Sequence, residues 1–563
     1  MTQISRRLLL LMFIVAGLVS GLAAVLFHEW VVLSRELLFE RVLQTTGWTR
    51  AAFLIAIPAA TAGLLGWIVQ RWAPGTLGAN LSRVRRAYAE DESHLDARTV
   101  FFTFVLTPLS LGSGAPLGPE GPTVVVTSGL SVWVARVLKF PRKVLRGMVP
   151  VGTAAGIAAI FRTPITGVVF ALEELLGTSS RSILGGTLVA AVAAAVVQQV
   201  TARDNARILP ASAAVWTHAA EMIGFAVVGV CAGIVSGVML RVAAIARDRL
   251  RRRVPSVPMR FALGGACVGI LGVLNPTMLG VGYETTALLL RGGGSLLFDA
   301  EAFGAKSLGF FVAAAAGLLG GTFAPSLFIG ASLGGLIGHA AQLVDAQVDP
   351  GAYALVGMGA YFAGTLRAPI AAVLIVLELT NDYGLVVPLM LGVALSNLIS
   401  HAITPRSLEE DQLAREGFRE TPSVSDPLAA LHVPDVMSSA PIAFRRETPL
   451  IDVLERTRYE RHRIYPIVDE RHRLVGQLTG ERVAEALRAQ RLDVTASDMM
   501  EPTLIAARTD ETVHALLGRM HATRVDRCPV VDDAGVVVGF VSPSDFVKAR
   551  FRRQAEPGDE TLR

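Results

Sequence analysis

Between Gly112 and Thr123 the chain reads GSGAPLGPEGPT, which sets one glutamate, Glu120, between two Gly/Pro pairs at the mouth of the apolar run VVVTSGLSVWVARVL. A matching pentad, GTFAP at Gly321, also opens into an apolar run but carries phenylalanine in place of the acid. Each pentad puts a proline, Pro122 or Pro325, at an early helical position, so each reads as a helix start. A helix start exposes unpaired backbone N–H groups and the positive end of the macrodipole, which together bind an anion without any cationic side chain. One such end contributes about 0.3 to 1 kcal/mol, up to about 2 when partly buried, whereas holding a desolvated ion costs at least several kcal/mol. Two converging ends plus hydroxyl donors are the minimum, and the repeat supplies two ends. A carboxylate at such an end is itself an anion. It can occupy the place of a transported anion, and protonation releases it, which ties anion entry to a proton. The plainer alternative is that Glu120 complements its own helix dipole; the missing acid in GTFAP weighs against it.

Two more acids, Glu173 and Glu174, are adjacent in an apolar run and so face different directions on a helix. An acid at mid-bilayer costs roughly 2.5 to 3.5 kcal/mol, a cost that implies use. The segment GTAAGIAAIFRTPITGVVFALEEL from Gly152 recurs as GMGAYFAGTLRAPIAAVLIVLELT from Gly357, 205 residues on, and GPEGP and GTFAP lie 203 apart. This alignment pairs Glu173 with Glu378 and leaves Glu174 without a counterpart, so the paired acids are expected to serve structure and Glu174 function. Tyr383, in TNDYG, reads on periodicity as an interfacial aromatic anchor.

The elements that must position these residues are membrane helices. Of 563 residues 52% are hydrophobic and 18% charged, and the mean hydropathy is +0.50, which puts the chain in a bilayer. Apolar stretches run from Leu8 to Phe27, Ala51 to Val69, Ile183 to Val200, Ile223 to Leu240, Phe261 to Leu274, Phe310 to Ile329 and Leu385 to Ile399. Several approach the roughly 20 residues that a spanning helix needs. Val151 to Phe161 and Ile370 to Leu379 are too short and read as broken or re-entrant pieces lining a cavity. Two homologous halves with Gly/Pro breaks at matching places indicate a transporter fold with its site at the repeat interface. The N-terminal run is too long for a signal peptide, so Arg6 and Arg7 flank a first membrane helix on the cytoplasmic side. The basic cluster from Arg247 to Arg253 is placed on that same side, an even number of crossings away. A net charge of +5 without a concentrated basic stripe excludes nucleic acid as a partner. Cys231, Cys267 and Cys528 are too few and scattered for a disulfide framework or a zinc site, and no metal is expected.

After Ile403 the composition turns polar and Pro/Ser-punctuated, a linker over 404–432 into a tail that repeats itself at an offset of 63. DVM at Asp435 recurs as DMM at Asp498, YPIVD at Tyr465 as CPVVD at Cys528, and Gly476 as Gly539. The order of strands and helices resembles a tandem pair of CBS domains, here 433–491 and 492–553 with a tail over 554–563. Many such pairs hold an adenine nucleotide. The ribose-contacting signature of that family is whole in Ser542-Pro-Ser-Asp545, whereas the first copy has Thr479-Gly-Glu-Arg482 with arginine in the acid's place. The resemblance therefore implies at most one intact nucleotide site, at Ser542 and Asp545. A ligand-free assembly module is the alternative.

GPEGP, GTFAP, FRTPITGVVFALEE from Phe161 and LELTNDYGLVVP from Leu377 together resemble the signature segments of the CLC family of chloride channels and proton-coupled chloride exchangers, across nearly all of residues 1–403. The resemblance implies a polytopic all-α membrane protein of two homologous halves with broken helices, followed by a cytosolic α/β CBS pair, in a homodimer whose subunits each have their own pathway. It implies Glu120 as external gating glutamate and Glu174 as internal proton relay. Thr76, Gly121, Thr322, Phe323, Ala324 and Tyr383 would bind the anion, with Tyr383 as hydroxyl donor. The chain departs from the family in two places. GSGAP at Gly112 imitates the family's first signature but lies directly before GPEGP; the segment at the proper place is APGTLGANLSRV, where Thr76 supplies a hydroxyl and the Pro and Glu are gone. Chloride, nitrate, another halide and fluoride thus stay open. The second departure is Pro119, which stiffens the approach to Glu120.

The leading expectation is an antiporter of chloride and protons in the plasma membrane, not an enzyme, with no required cofactor. A passive voltage- or ligand-gated anion channel is its nearest rival. A divalent-cation channel would need acidic clusters in the membrane segments, and an enzyme would need a nucleophile–base pair, metal cluster or phosphate loop, none of which the sequence offers.

Overall fold

The structure, a computed structural model, describes residues 6–40, 42, 45–78, 81–89, 95–176, 181–201, 209, 221–415, 431–439, 441–457, 464–503, 505–523 and 525–555. The chain divides into two compact units, Met1–Arg419 and Glu420–Arg563.

The first unit is helical, and its elements up to Ile403 form two matching halves. One half comprises α1 (Arg6–Arg35), α2 (Gly47–Trp72), α3 (Leu81–Ala89), α4 (Ala97–Gly112), α5 (Glu120–Val137), α6 (Arg142–Phe161), α7 (Pro164–Ala171) and α8 (Arg181–Thr201). The other follows element for element: α9 (Glu221–Arg253), α10 (Val257–Leu274), α11 (Tyr283–Leu290), α12 (Leu296–Ala316), α13 (Phe323–Gln342), α14 (Pro350–Leu366), α15 (Pro369–Thr380) and α16 (Val386–Ile403). Even the single 3₁₀ turns before α3 and α11, Pro74–Thr76 and Pro276–Met278, correspond. Eight helices among the described residues are long and apolar enough to cross a membrane.

Local chemistry explains where these helices break. Thr163 and Ala368 each precede a proline, which disfavours the helical region, and both take an extended-side backbone with ψ of 76°. The preceding residues, Arg162 and Arg367, end α6 and α14 in the left-handed region at φ 59° and 66°. The apolar run from Phe310 to Ile329, read as one stretch, is divided. Gly317, at φ 79°, stops α12, and the chain turns through Gly320 and Gly321 before α13. Conversely, Val151 to Phe161 is the buried end of a 20-residue helix that starts at Arg142, so its shortness was that of the apolar part only. The segment expected as linker over 404–432 begins with a further helix, α17 (Leu408–Arg415).

The halves contact each other reciprocally. Gly118 N–H donates to Gly321 O at 2.9 Å and Gly321 N–H returns a bond to Gly118 O at 2.6 Å, so the two pentads meet back to back. Glu173 accepts from the N–H groups of Ile370 (2.9 Å) and Ala371 (2.7 Å) in the first turn of α15. Glu378 accepts from Ile165 (3.1 Å) and Thr166 (2.6 Å) in the first turn of α7. Residue i touching j′ while i′ touches j is the signature of a twofold axis. Placing Arg6 and Arg7 at the start of α1 on the same face as Arg247 to Arg253 at the end of α9 requires repeat mates of opposite direction, an inverted repeat. The expectation that Glu173 and Glu378 serve structure is met by this exchange of caps. Glu173→Gln removes the charge from two helix-end bonds and should cost about 1 to 3 kcal/mol, read as a lower unfolding temperature in detergent; unchanged stability would show the cap to be dispensable.

Close approach of small residues holds the outer helices. A Cβ at Gly17 of α1 would meet Ala190 O of α8 at 2.5 Å, and one at Gly229 of α9 would meet Gly392 O of α16 at 2.7 Å, the same contact in each half.

In the second unit, β1 (Ser438–Ser439), β2 (Phe444–Arg445), β3 (Ile464–Val468), β4 (Leu474–Thr479), β5 (Ala507–Arg508), β6 (Cys528–Val531) and β7 (Val537–Val541) form sheets of order β1-β7-β6-β5 and β2-β3-β4. The opening segment of each repeat crosses to the other core. Val433 and Val436 pack with Val513, Leu516 and Phe546, whereas Ala496 and Met499 pack with Phe444, Leu450 and Ile467. Ser438 accordingly pairs with Phe540, and Glu501 with Gln477. Sequence repeat and packing unit are thus offset by about one short helix, because each core needs the other's apolar lead-in to close it.

Candidate functional site

Glu120 is the first residue of α5, and it is fully buried. Its carboxylate reaches the first turn of α13, where Oε2 accepts from the Ala324 N–H at 3.4 Å, while Oε1 accepts from the Tyr283 hydroxyl at 2.5 Å. The acid of one half thus sits on the helix start of the other. The turn leaves no space beside it: a Cβ on Gly118 would lie 2.1 Å from Glu120 Oε2 and 3.1 Å from Ala324 N. Gly121 N lies against Gly321 in the same junction, 2.9 Å from where a Cβ on Gly321 would stand. Phe323 is buried and packs its ring against Phe170, Phe362 and Phe161, with centroids 5.1, 5.3 and 6.3 Å away. Its side chain is therefore a wedge, and only its backbone faces the junction.

Tyr283 was not singled out from the sequence. It opens α11 directly after Gly282, whose φ of 89° swings the helix start into the junction. Beneath that loop the buried Lys306 donates from Nζ to three backbone carbonyls, Met278 (3.1 Å), Gly280 (2.6 Å) and Val281 (3.2 Å), and lies 4.9 Å from the Phe328 ring centroid. A signal existed. Pro74, Leu77 and Gly78 recur as Pro276, Leu279 and Gly280, 202 residues on, a third broken segment of the repeat. Tyr383, expected as hydroxyl donor, is instead 63% exposed in the turn after Asn381, between α15 and α16, and takes no part in the junction. Tyr283→Phe removes a hydrogen bond to a charged group, worth about 1.5 to 3 kcal/mol; it should loosen Glu120 and raise anion flux from liposomes, and an unaltered rate would show that the hydroxyl does not restrain the acid.

On the other side of the α13 start, Thr322 does not cap its own helix; its hydroxyl donates to Glu409 Oε1 at 3.1 Å. Glu409 belongs to α17, beside Glu410, and was not anticipated. Glu174, in the π turn Leu172–Leu176, is buried and ion-paired with Arg85 of α3, whose Nη1 also reaches Glu410 Oε1 at 3.3 Å. Thr76 is buried in the turn before α3, and its hydroxyl donates to Ala73 O at 2.7 Å, so its proton is engaged locally. Ala79 and Asn80 of the same segment lie outside the described residues. Thr76, Thr322 and Glu409 line a cavity of about 690 Å³ whose wall carries Arg83, Arg86, Arg247, Arg251 and Arg260.

In the tail, Asp545 is buried and fully engaged. Oδ2 accepts from Ser542 N–H (2.9 Å) and Ser542 Oγ (2.6 Å), and Oδ1 from Ser438 Oγ (2.9 Å). In the first copy Arg482 is paired with Glu501 at 2.8 Å and Glu485 at 3.0 Å.

Comparison with known proteins agrees with this architecture. The family model described as voltage gated chloride channel matches residues 60–401, and the CBS domain model matches twice, at 433–489 and 496–552. A putative chloride channel protein ClcB-like of Ralstonia nicotianae is 31% identical over 427 residues, 72% of this chain and 97% of that protein. The H(+)/Cl(-) exchange transporter ClcA of Vibrio vulnificus is 28% identical over 392 residues, 67% of this chain and 82% of that protein. Among solved structures, a eukaryotic CLC transporter superposes with a TM-score of 0.66 at 18% identity, covering 95% of this chain and 97% of its own. The chain belongs to the voltage gated chloride channel (CLC) family and carries a tandem CBS pair behind its membrane unit.

Proposed function

We propose that the protein exchanges a small monovalent anion, chloride first, for protons across the plasma membrane. The observation that carries this reading is the seat of the Glu120 carboxylate on the Ala324 amide, where an anion would bind a helix start. Glu120 is the gating acid, and the amides of Gly121, Thr322, Phe323 and Ala324 form the anion's backbone site with Thr76 nearby. Tyr283 takes the hydroxyl role first given to Tyr383. Glu174, ion-paired to Arg85, is the second proton station, away from Glu120. The similarity to an exchange transporter supports the coupled reading. A passive chloride channel is the second reading, favoured by the name of the 31% identical relative.

The arginine-lined cavity is the cytoplasmic entrance by the positive-inside rule, which puts the tail in the cytoplasm. The protein acts as a homodimer with one pathway per subunit. For the tail, three protein donors on Asp545 favour an assembly role over an adenine-nucleotide site at Ser542 and Asp545, because a ribose would have to displace them. The test of the anion reading is efflux from liposomes loaded in turn with chloride, nitrate and fluoride. Chloride efflux well above that of protein-free liposomes is expected, and absence of flux for all three would overturn it.

A further inference from the structure

The start of α13 holds a carboxylate on each side. Glu120 reaches the Ala324 N–H from one side, and Glu409 reaches the Thr322 hydroxyl from the other. Neighbouring acids of α17 have other tasks. Glu410 closes a capping box with Ser407, its Oε2 accepting from Ser407 N–H at 2.9 Å while its own N–H donates to Ser407 Oγ at 3.2 Å, and it also meets Arg85. Asp411 pairs with Arg247 at 3.6 Å. Glu409 takes a bond from its own amide besides that from Thr322 and is only 6% exposed, yet it forms part of the wall of the arginine-lined cavity. An acid in the wall of a basic vestibule, on the hydroxyl of the residue that begins the anion's helix, opposes any anion arriving from that vestibule.

We infer that Glu409 is a second, inner gate of the anion pathway: its charged carboxylate closes the vestibule side of the α13 start, and an anion passes only when Glu409 is protonated or displaced. This rests on the transport reading above. Arg85, Glu410 and, from the π turn after α7, Glu174 face Glu409. The cavity wall adds Arg83, Arg86, Arg247, Arg251 and Arg260 against Asp248, so the vestibule attracts anions up to the gate and the gate decides their entry. Protonation neutralises the gate, so acid opens it and alkali closes it.

The test separates the two gates in full-length protein in liposomes. In Glu120→Gln, the outer acid no longer titrates, and chloride efflux should still fall several-fold between about pH 4 and about pH 8, a range that starts at the ordinary glutamate value. Adding Glu409→Gln should make efflux high and flat across that range, and Glu409→Asp, which keeps the charge, should restore the fall. Chloride binding by calorimetry gives a reading that needs no turnover and no change at residue 409: Glu120→Gln should bind chloride several-fold more tightly at the acidic end. Efflux and binding by Glu120→Gln that are already flat with pH, or a double variant that keeps the fall, would overturn the inner gate while leaving transport intact. Absence of chloride efflux and binding in every variant would instead remove the transport reading, and this inference with it.

Discussion

Glu120→Ala should abolish proton movement driven by a chloride gradient while chloride flux continues. The substitution empties the place on the Ala324 amide and takes away the only carboxylate that meets Tyr283 among the described residues. An anion can then occupy the helix start at all times, since nothing competes for it. No carboxylate remains there to take a proton as the anion leaves, so the two fluxes separate. The expected loss of coupling is complete rather than graded, because it follows from deleting the proton carrier itself. Parallel records of chloride and pH in liposomes check it. Proton movement that survives in Glu120→Ala would place the proton step elsewhere.

Lys306→Met should produce the largest structural effect. A lysine within an apolar helix costs roughly 2.5 to 3.5 kcal/mol on insertion scales, and here the cost is offset by three carbonyls that the ammonium gathers from one loop. Methionine keeps the volume and leaves the three carbonyls without the ammonium, at about 1 to 3 kcal/mol for the buried Met278 carbonyl and less for the half-buried Gly280 and Val281. The same loop leads through Gly282 into Tyr283, so its release also frees the hydroxyl that holds Glu120. A clearly lower unfolding temperature in detergent is expected, together with faster chloride flux. Wild-type stability in Lys306→Met would mean that the loop is held by its packing alone.

Glu120 was legible because it breaks a repeat that is otherwise kept: GPEGP has an acid where GTFAP has none. Glu173 and Glu378 were legible for the opposite reason, since each keeps the repeat and caps the other half. The partners of the site were not. Tyr283 meets Glu120 across 163 residues and Glu409 meets Thr322 across 87, and no local periodicity reports such pairings. Glu409 was further hidden by its surroundings, because SLEEDQLAR is polar enough to resemble linker although it folds as α17 against the membrane unit. Tyr383 drew attention through a motif match, while the unmatched PTMLGVGY segment, the second-half partner of APGTLGANL, carried the tyrosine that reaches the acid. In the tail, the offset of 63 gave the two copies, but not the crossing of Val433 and Ala496 between cores, which only packing decides.

Coupled exchange is read as the pH change inside liposomes containing the purified protein when a chloride gradient is imposed with no pH gradient. Protons should move uphill, driven by chloride, and this movement should be lost in both Glu120→Ala and Glu174→Ala. Chloride flux with no proton movement in the wild-type protein would contradict it and make the protein a passive channel.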